Sequence, residues 1–148
     1  MPEKKEQIES LVNPDIKKEY ETWVEKKIFD ISQEFKINFI RIKTEFNYAT
    51  EIDKNLVAEI FVDETYHVAC MKVYHAGLKL YREDKKMLID CLCHELTHIH
   101  TNKLSQLAKS RYTTKDAINE AAEDLTETMA EYIRELIQLK NRSIYKIN

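Results

Sequence analysis

The sequence predicts a single α+β domain, and three observations support that class. Apolar residues recur at helical spacing in the first and last thirds of the chain, whereas short runs rich in β-branched and aromatic residues lie between them. A chain of 148 residues suits one hydrophobic core, and its 43% hydrophobic and 33% charged residues are typical of a folded protein. We expect one domain over 1–148, with 1–12 loosely ordered.

Charge and cysteine content narrow the cellular setting. The net charge of -3, with both signs interspersed, does not indicate nucleic-acid binding. No apolar run approaches the ~18 residues of a membrane span, and no signal peptide is visible, so we expect a cytoplasmic protein without membrane partners. Three cysteines, Cys70, Cys91 and Cys93, cannot all pair, and they are expected as reduced, mostly buried thiols.

The first predicted helix covers 14–35. Asn13-Pro14 is typical of an N-cap followed by proline at the first helical position. Trp23 is expected to anchor this helix in the core. The apolar residues that recur near helical spacing are Ile16, Tyr20, Trp23, Val24, Ile28, Ile31 and Phe35.

The middle of the chain predicts a small mixed sheet. Runs rich in β-branched and aromatic residues indicate strands over 37–43, 56–62, 66–74 and 75–81. A turn is expected at 63–65. Gly77, the only glycine, is expected at a bulge or at a close approach of two backbones.

Two helices should complete the domain. One is predicted over about 84–103, and the other from a cap at Thr113-Thr114-Lys115-Asp116 to about Lys140. Each carries an apolar stripe. The stripes are Leu88, Leu92, Leu96 and Ile99 on the first, and Ile118, Ala122, Leu125, Met129, Ile133 and Leu136 on the second.

The segment His94-Glu95-Leu96-Thr97-His98 predicts a zinc site. Two histidines four residues apart on a helix lie on one face, one turn apart, where both can bind one ion. On a helical wheel they lie opposite the apolar stripe, which favours ligands over buried structural histidines. Glu95 is about 100° from His94 around the helix, so its carboxylate can reach a zinc-activated water and act as general base.

A catalytic zinc needs a third protein ligand and an open position for water. The last predicted helix carries several acidic residues that could supply it, although an acidic run is usually a solvated face. These residues are Glu120, Glu123, Asp124, Glu127 and Glu131.

The two segments together resemble the gluzincins, the zinc metallopeptidase family of thermolysin. The resemblance consists of His94-Glu95-Leu96-Thr97-His98 followed by Asn119-Glu120-Ala121-Ala122-Glu123-Asp124. It implies hydrolysis of peptide bonds, with Glu120 as third zinc ligand and Asp124 supporting a ligand histidine. Glu123 remains the alternative ligand, followed by Glu127.

The chain also resembles small phage-type and SprT-like metallopeptidase domains over roughly 56–133. That resemblance implies a minimal zincin-like fold, in which a helix, a short sheet and the motif helix follow one another. Peptides or proteins would be the substrates.

The substrate side of the site is less defined by the sequence. Tyr112, His75, His67 and Tyr74 are candidates by type for stabilising the oxyanion. The predicted strand 75–81 could hold an extended peptide at a sheet edge.

A third histidine and two cysteines also lie in or beside the motif helix. His100 points away from the face of His94 and His98, so we exclude it as a ligand. Cys91 and Cys93 are expected to be packing residues.

Two other functions remain open from the sequence. The chain could be a catalytically silent zincin-fold module that binds or regulates another protein. Alternatively, the metal could be structural, with a fourth ligand such as Cys91 closing the site.

Overall fold

The computed structural model describes residues 13–49, 55–110 and 112–138. The predicted α+β class with a small mixed sheet is confirmed. The expected loose order of 1–12 and the predicted helix end near Lys140 lie outside the described residues. The elements in order are α1 (Pro14–Glu34), β1 (Arg41–Asn47), β2 (Ala58–Asp63), β3 (Val68–Tyr74), α2 (His75–Glu83), α3 (Lys85–Lys109) and α4 (Lys115–Gln138).

Helix α1 forms as predicted from its cap and its apolar face. The Asn13 side chain accepts a hydrogen bond from the Asp15 N–H at 3.0 Å, and Pro14 opens the helix. Tyr20, Val24 and Ile31 are fully buried, while Trp23 packs half-buried against the core. The helix therefore supplies one wall of the hydrophobic core.

The sheet has the strand order β1-β3-β2, with β1 parallel and β2 antiparallel to β3. Strand β1 begins at Arg41 rather than at residue 37. Residues 36 and 37 instead form the turn that ends α1. Lys36 has a φ of 54°, and the Ile37 N–H donates a hydrogen bond to Ser32 O at 2.8 Å. Strand β2 is an edge of the sheet, and its position decides the geometry of the site below.

The predicted strand 75–81 is wrong, because His75–Glu83 forms helix α2. The alternation Leu78-Lys79-Leu80 fits a strand, but the residues that become buried, Gly77, Leu78 and Tyr81, lie at helical spacing. Gly77 lies in a helix rather than at a bulge, and its close contact is with a side chain rather than with a second backbone. A Cβ there would lie 2.5 Å from the Tyr20 hydroxyl, so α2 sits directly on α1.

Helix α3 is longer than predicted and buries the predicted stripe. Asp84 caps it by accepting a hydrogen bond from the Met87 N–H at 3.0 Å. Leu88, Leu92 and Leu96 are fully buried. One face of the helix is therefore buried in the core, and the opposite face, which carries His94 and His98, is exposed.

The predicted apolar stripe of α4 is only partly covered by the described residues. Ile118, Met129 and Leu136 are 40%, 43% and 72% exposed, whereas Ala121 is only 3% exposed. Helix α4 lies against α3 through the side that carries Ala121, so part of its stripe is not covered by the residues that the structure describes. Among the described helices, none is both long and apolar enough to cross a bilayer.

Candidate metal centre

Helix α3 brings His94, Glu95 and His98 together. One ligand atom from each of the three lies within 4.8 Å of the others, and no other such group of His, Cys, Asp or Glu occurs among the described residues. The two imidazole rings are 4.9 Å apart between centroids and nearly perpendicular. Both histidines are exposed, because Leu92 and Leu96 take the core side of the helix.

Glu95 makes a contact that the sequence did not predict. Its Oε2 accepts a hydrogen bond from the Ile60 N–H of β2 at 3.1 Å. Val57 O accepts from Tyr74 N at 2.9 Å and so faces β3. Because backbone groups alternate along a strand, the N–H and C=O groups of Ala58, Ile60 and Val62 point away from β3. Glu95 therefore lies at the outer edge of the sheet.

The candidate third ligands on α4 are not part of this group. Glu120, Glu123 and Glu127 are exposed. Asp124 accepts a hydrogen bond from Lys103 at 2.9 Å, and that bond, with a weaker contribution from Glu120, raises the pKa of Lys103. Glu120 therefore lies near Lys103, which follows His98 on α3 by five residues. Its role as a zinc ligand stays a prediction.

The candidate oxyanion donors are dispersed over the fold. Tyr112 is 93% exposed in the turn between α3 and α4. His67 lies in the exposed turn before β3, and His75 is the first residue of α2. The Tyr74 hydroxyl donates to Glu59. The structure brings none of these side chains into the three-residue group, and the edge strand beside Glu95 is β2 rather than 75–81.

His100 lies on another side of α3, as expected. Its Nε2 is 3.1 Å from Phe35 O and 2.5 Å from the Tyr132 hydroxyl. Burial lowers the pKa of His100, which favours the neutral ring. His100 thus connects α3 to the end of α1 and to α4, and these contacts are those of a structural residue.

The cysteines beside the motif have unreactive surroundings. Cys91 and Cys93 are free thiols and half-buried. Burial raises the pKa of Cys91, and it raises that of Cys93 to about 11. Neither belongs to the three-residue group, in agreement with their expected role in packing.

The donor set suits zinc. The imidazole nitrogens of His94 and His98 match the ligands that zinc prefers, and the exposed helix face leaves room for further ligands. No protein-family model, curated protein or solved structure matches this chain.

Proposed function

We propose that the chain is a gluzincin-like zinc metallopeptidase that hydrolyses peptide bonds, with His94 and His98 as zinc ligands and Glu95 as general base. The convergence of these three side chains within 4.8 Å beside an edge strand supports the proposal. Glu120 remains the proposed third ligand, with Glu123 as its alternative. The free cysteines fit the reducing cytoplasm that we propose as its location.

In the proposed reaction, the zinc ion and groups of this chain have separate roles. Zinc, when bound, would polarise the scissile carbonyl and lower the pKa of the attacking water. Glu95 takes the proton from that water. The Ile60 N–H fixes Oε2 of Glu95 and so orients the carboxylate. The outward backbone groups of β2 that Glu95 does not occupy, those of Ala58 and Val62, can pair with a substrate backbone by strand addition.

Glu95→Gln separates the reaction from metal binding. The amide keeps the size of the side chain but cannot accept the proton, so we expect zinc content to stay near one equivalent while hydrolysis is lost. His98→Ala should lose both. Full peptide hydrolysis by Glu95→Gln would refute the assigned mechanism, and a zinc-free wild type would refute the metal site.

The zinc contents of two alanine variants distinguish the candidates for the third ligand. Glu120→Ala should lower zinc content if Glu120 is a ligand, while Glu123→Ala on the same exposed face should not. The reverse result would move the ligand to Glu123.

A zincin-fold module that binds a partner without catalysis is the second candidate. The uncovered apolar side chains of α4, with Leu136 72% exposed, favour it, because exposed apolar surface often marks a protein contact. Failure of the zinc-loaded chain to cut any member of a peptide library would favour this candidate over the peptidase.

A further inference from the structure

A cavity of about 440 Å³ lies between α3, α4 and the end of β2. Its volume is within the usual range of small-ligand sites, about 300–1,000 Å³. It contains none of the three residues of the candidate metal centre. Its walls are mainly apolar or aromatic, and include Phe39, Ile40, Val62, Ile99, Leu125 and Tyr132.

The cavity lies along the same edge strand as the metal centre. Strand β2 and helix α3 run side by side, because Ile60 contacts Glu95 and, further along both elements, Glu64 accepts a hydrogen bond from Asn102 at 2.9 Å. Val62 and Glu64 line the cavity from the strand side. A polypeptide paired with the outer edge of β2 would therefore extend from Glu95 to the cavity.

The charges at the cavity favour an apolar occupant. Lys36 pairs with Glu131 at 2.6 Å, and Lys103 pairs with Asp124 at 2.9 Å. A charged ligand would have to compete with these ion pairs, whereas an apolar group can contact the walls without disturbing them. Phe39 is 54% exposed, so burial of its ring against a ligand would add to the binding free energy.

We propose that the cavity receives an apolar, preferably aromatic, side chain of the polypeptide that lies along β2. This inference rests on the proposed function. Ile99 and Lys103 lie four and eight residues beyond Glu95 on α3, which corresponds to about 6 and 12 Å along the helix axis. An extended chain advances about 3.4 Å per residue, so the side chain lies about two to four residues from the cleaved bond.

The direction of the polypeptide follows from strand pairing. Antiparallel pairs are the more stable per residue. Because β2 runs from Ile60 towards Asp63, an antiparallel polypeptide runs from the cavity towards Glu95. The apolar side chain therefore precedes the cleaved bond.

Binding of two uncleavable peptides tests this assignment. Both carry a reduced CH₂–NH bond, and they differ only in having Phe or Ala three residues before it. With the full zinc-loaded chain we expect the Phe peptide to bind about tenfold tighter or more, the factor that burial of an aromatic side chain provides. The amide NMR signal of Val62, whose N–H points to the outer edge of β2 beside the cavity, should shift. Equal affinities would overturn the assignment.

Substitutions in the cavity wall test whether the preference for the Phe peptide arises there. Leu125→Trp fills the cavity and should abolish the preference for Phe, whereas Met129→Trp, on the same helix and outside the cavity wall, should keep it. Phe39→Ala changes a half-exposed wall residue with little risk to folding, and should weaken the preference several-fold. A preference that survives both Leu125→Trp and Phe39→Ala would overturn the assignment.

Failure of this assignment can be told from failure of the proposed function. Cavity-dependent binding of the Phe peptide without cleavage of any library peptide would refute the peptidase and leave the cavity assignment standing. Cleavage without any preference for apolar residues before the bond would refute the cavity assignment and leave the peptidase standing.

Discussion

The Tyr20 hydroxyl is buried between α1 and α2, and no hydrogen-bond partner for it occurs among the described residues. Its ring packs against Phe46 and Tyr81 at centroid distances of 5.8 and 5.3 Å. Burial raises the pKa of Tyr20, so the hydroxyl stays protonated. Gly77 leaves the space that the hydroxyl occupies. This pair of residues thus joins the two helices at the expense of one unsatisfied polar group.

Two substitutions at this contact should be non-additive. Tyr20→Phe removes an unsatisfied hydroxyl, and we expect the free energy of unfolding to rise by about 1 kcal/mol. Gly77→Ala should lower it by about 1–3 kcal/mol through overpacking. In the double variant the cost of the alanine should be smaller, because only Val73, 3.0 Å from the new Cβ, remains close. Urea unfolding of the four proteins measures the coupling, and strictly additive values would contradict it.

The hydrogen bond from Ile60 to Glu95 predicts a positioning role for a backbone group. Ile60→Pro removes the N–H, and an edge strand tolerates proline where that N–H points away from the sheet. We expect kcat for peptide hydrolysis to fall about tenfold, the effect of losing roughly 1.4 kcal/mol of orientation. Zinc content should be unchanged.

Ile60→Val is the matched control for this loss. It keeps the N–H and should keep kcat. Equal kcat values in the proline and valine variants would show that the hydrogen bond does not position Glu95.

The buried and exposed faces of helix α3 could be predicted from its sequence. A repeat of 3.6 residues separates Leu88, Leu92 and Leu96 from His94 and His98, so both the buried face and the exposed pair follow from spacing alone. The contact between Glu95 and Ile60 could not be predicted this way. It depends on where the sheet places a strand that lies 35 residues earlier in the chain.

Helices α2 and α4 show where local patterns are insufficient. In α2 three residues, Leu78-Lys79-Leu80, are too few to distinguish a period of 2 from one of 3.6, and packing of Gly77 on Tyr20 decides for the helix. In α4 the periodicity correctly predicted a helix. However, periodicity does not say whether a partner covers the apolar face, and Leu136 remains exposed.

The contrast between α3 and α4 predicts different costs for losing a leucine side chain. Leu92→Ala should lower the free energy of unfolding by about 2–5 kcal/mol, because the side chain is fully buried. Leu136→Gln should change it by no more than about 0.5 kcal/mol, because that side chain is mostly exposed. Chemical denaturation measures both. A cost above 2 kcal/mol for Leu136→Gln would mean that α4 buries its stripe against another surface.

The whole molecule should become more stable when zinc binds, because the unfolded chain does not hold His94 and His98 in one place. Free zinc at 100 times its dissociation constant would add about 2.7 kcal/mol. For a chain of this length, that corresponds to a rise in melting temperature of roughly 5–10 °C. Thermal unfolding with zinc, and then with excess EDTA, measures the gain and its reversal.

Two variants test whether the rise in melting temperature with zinc comes from the proposed metal centre. His98→Ala should lose it because one of the two proposed histidine ligands is missing, while Glu95→Gln should retain it because Glu95 is assigned to the water rather than to the metal. If Glu120 completes the site, zinc should also slow amide hydrogen exchange in α4, since one ion would then join α4 to α3, and Glu120→Ala should remove that slowing. A zinc shift of wild-type size in His98→Ala would contradict a metal centre on this helix face.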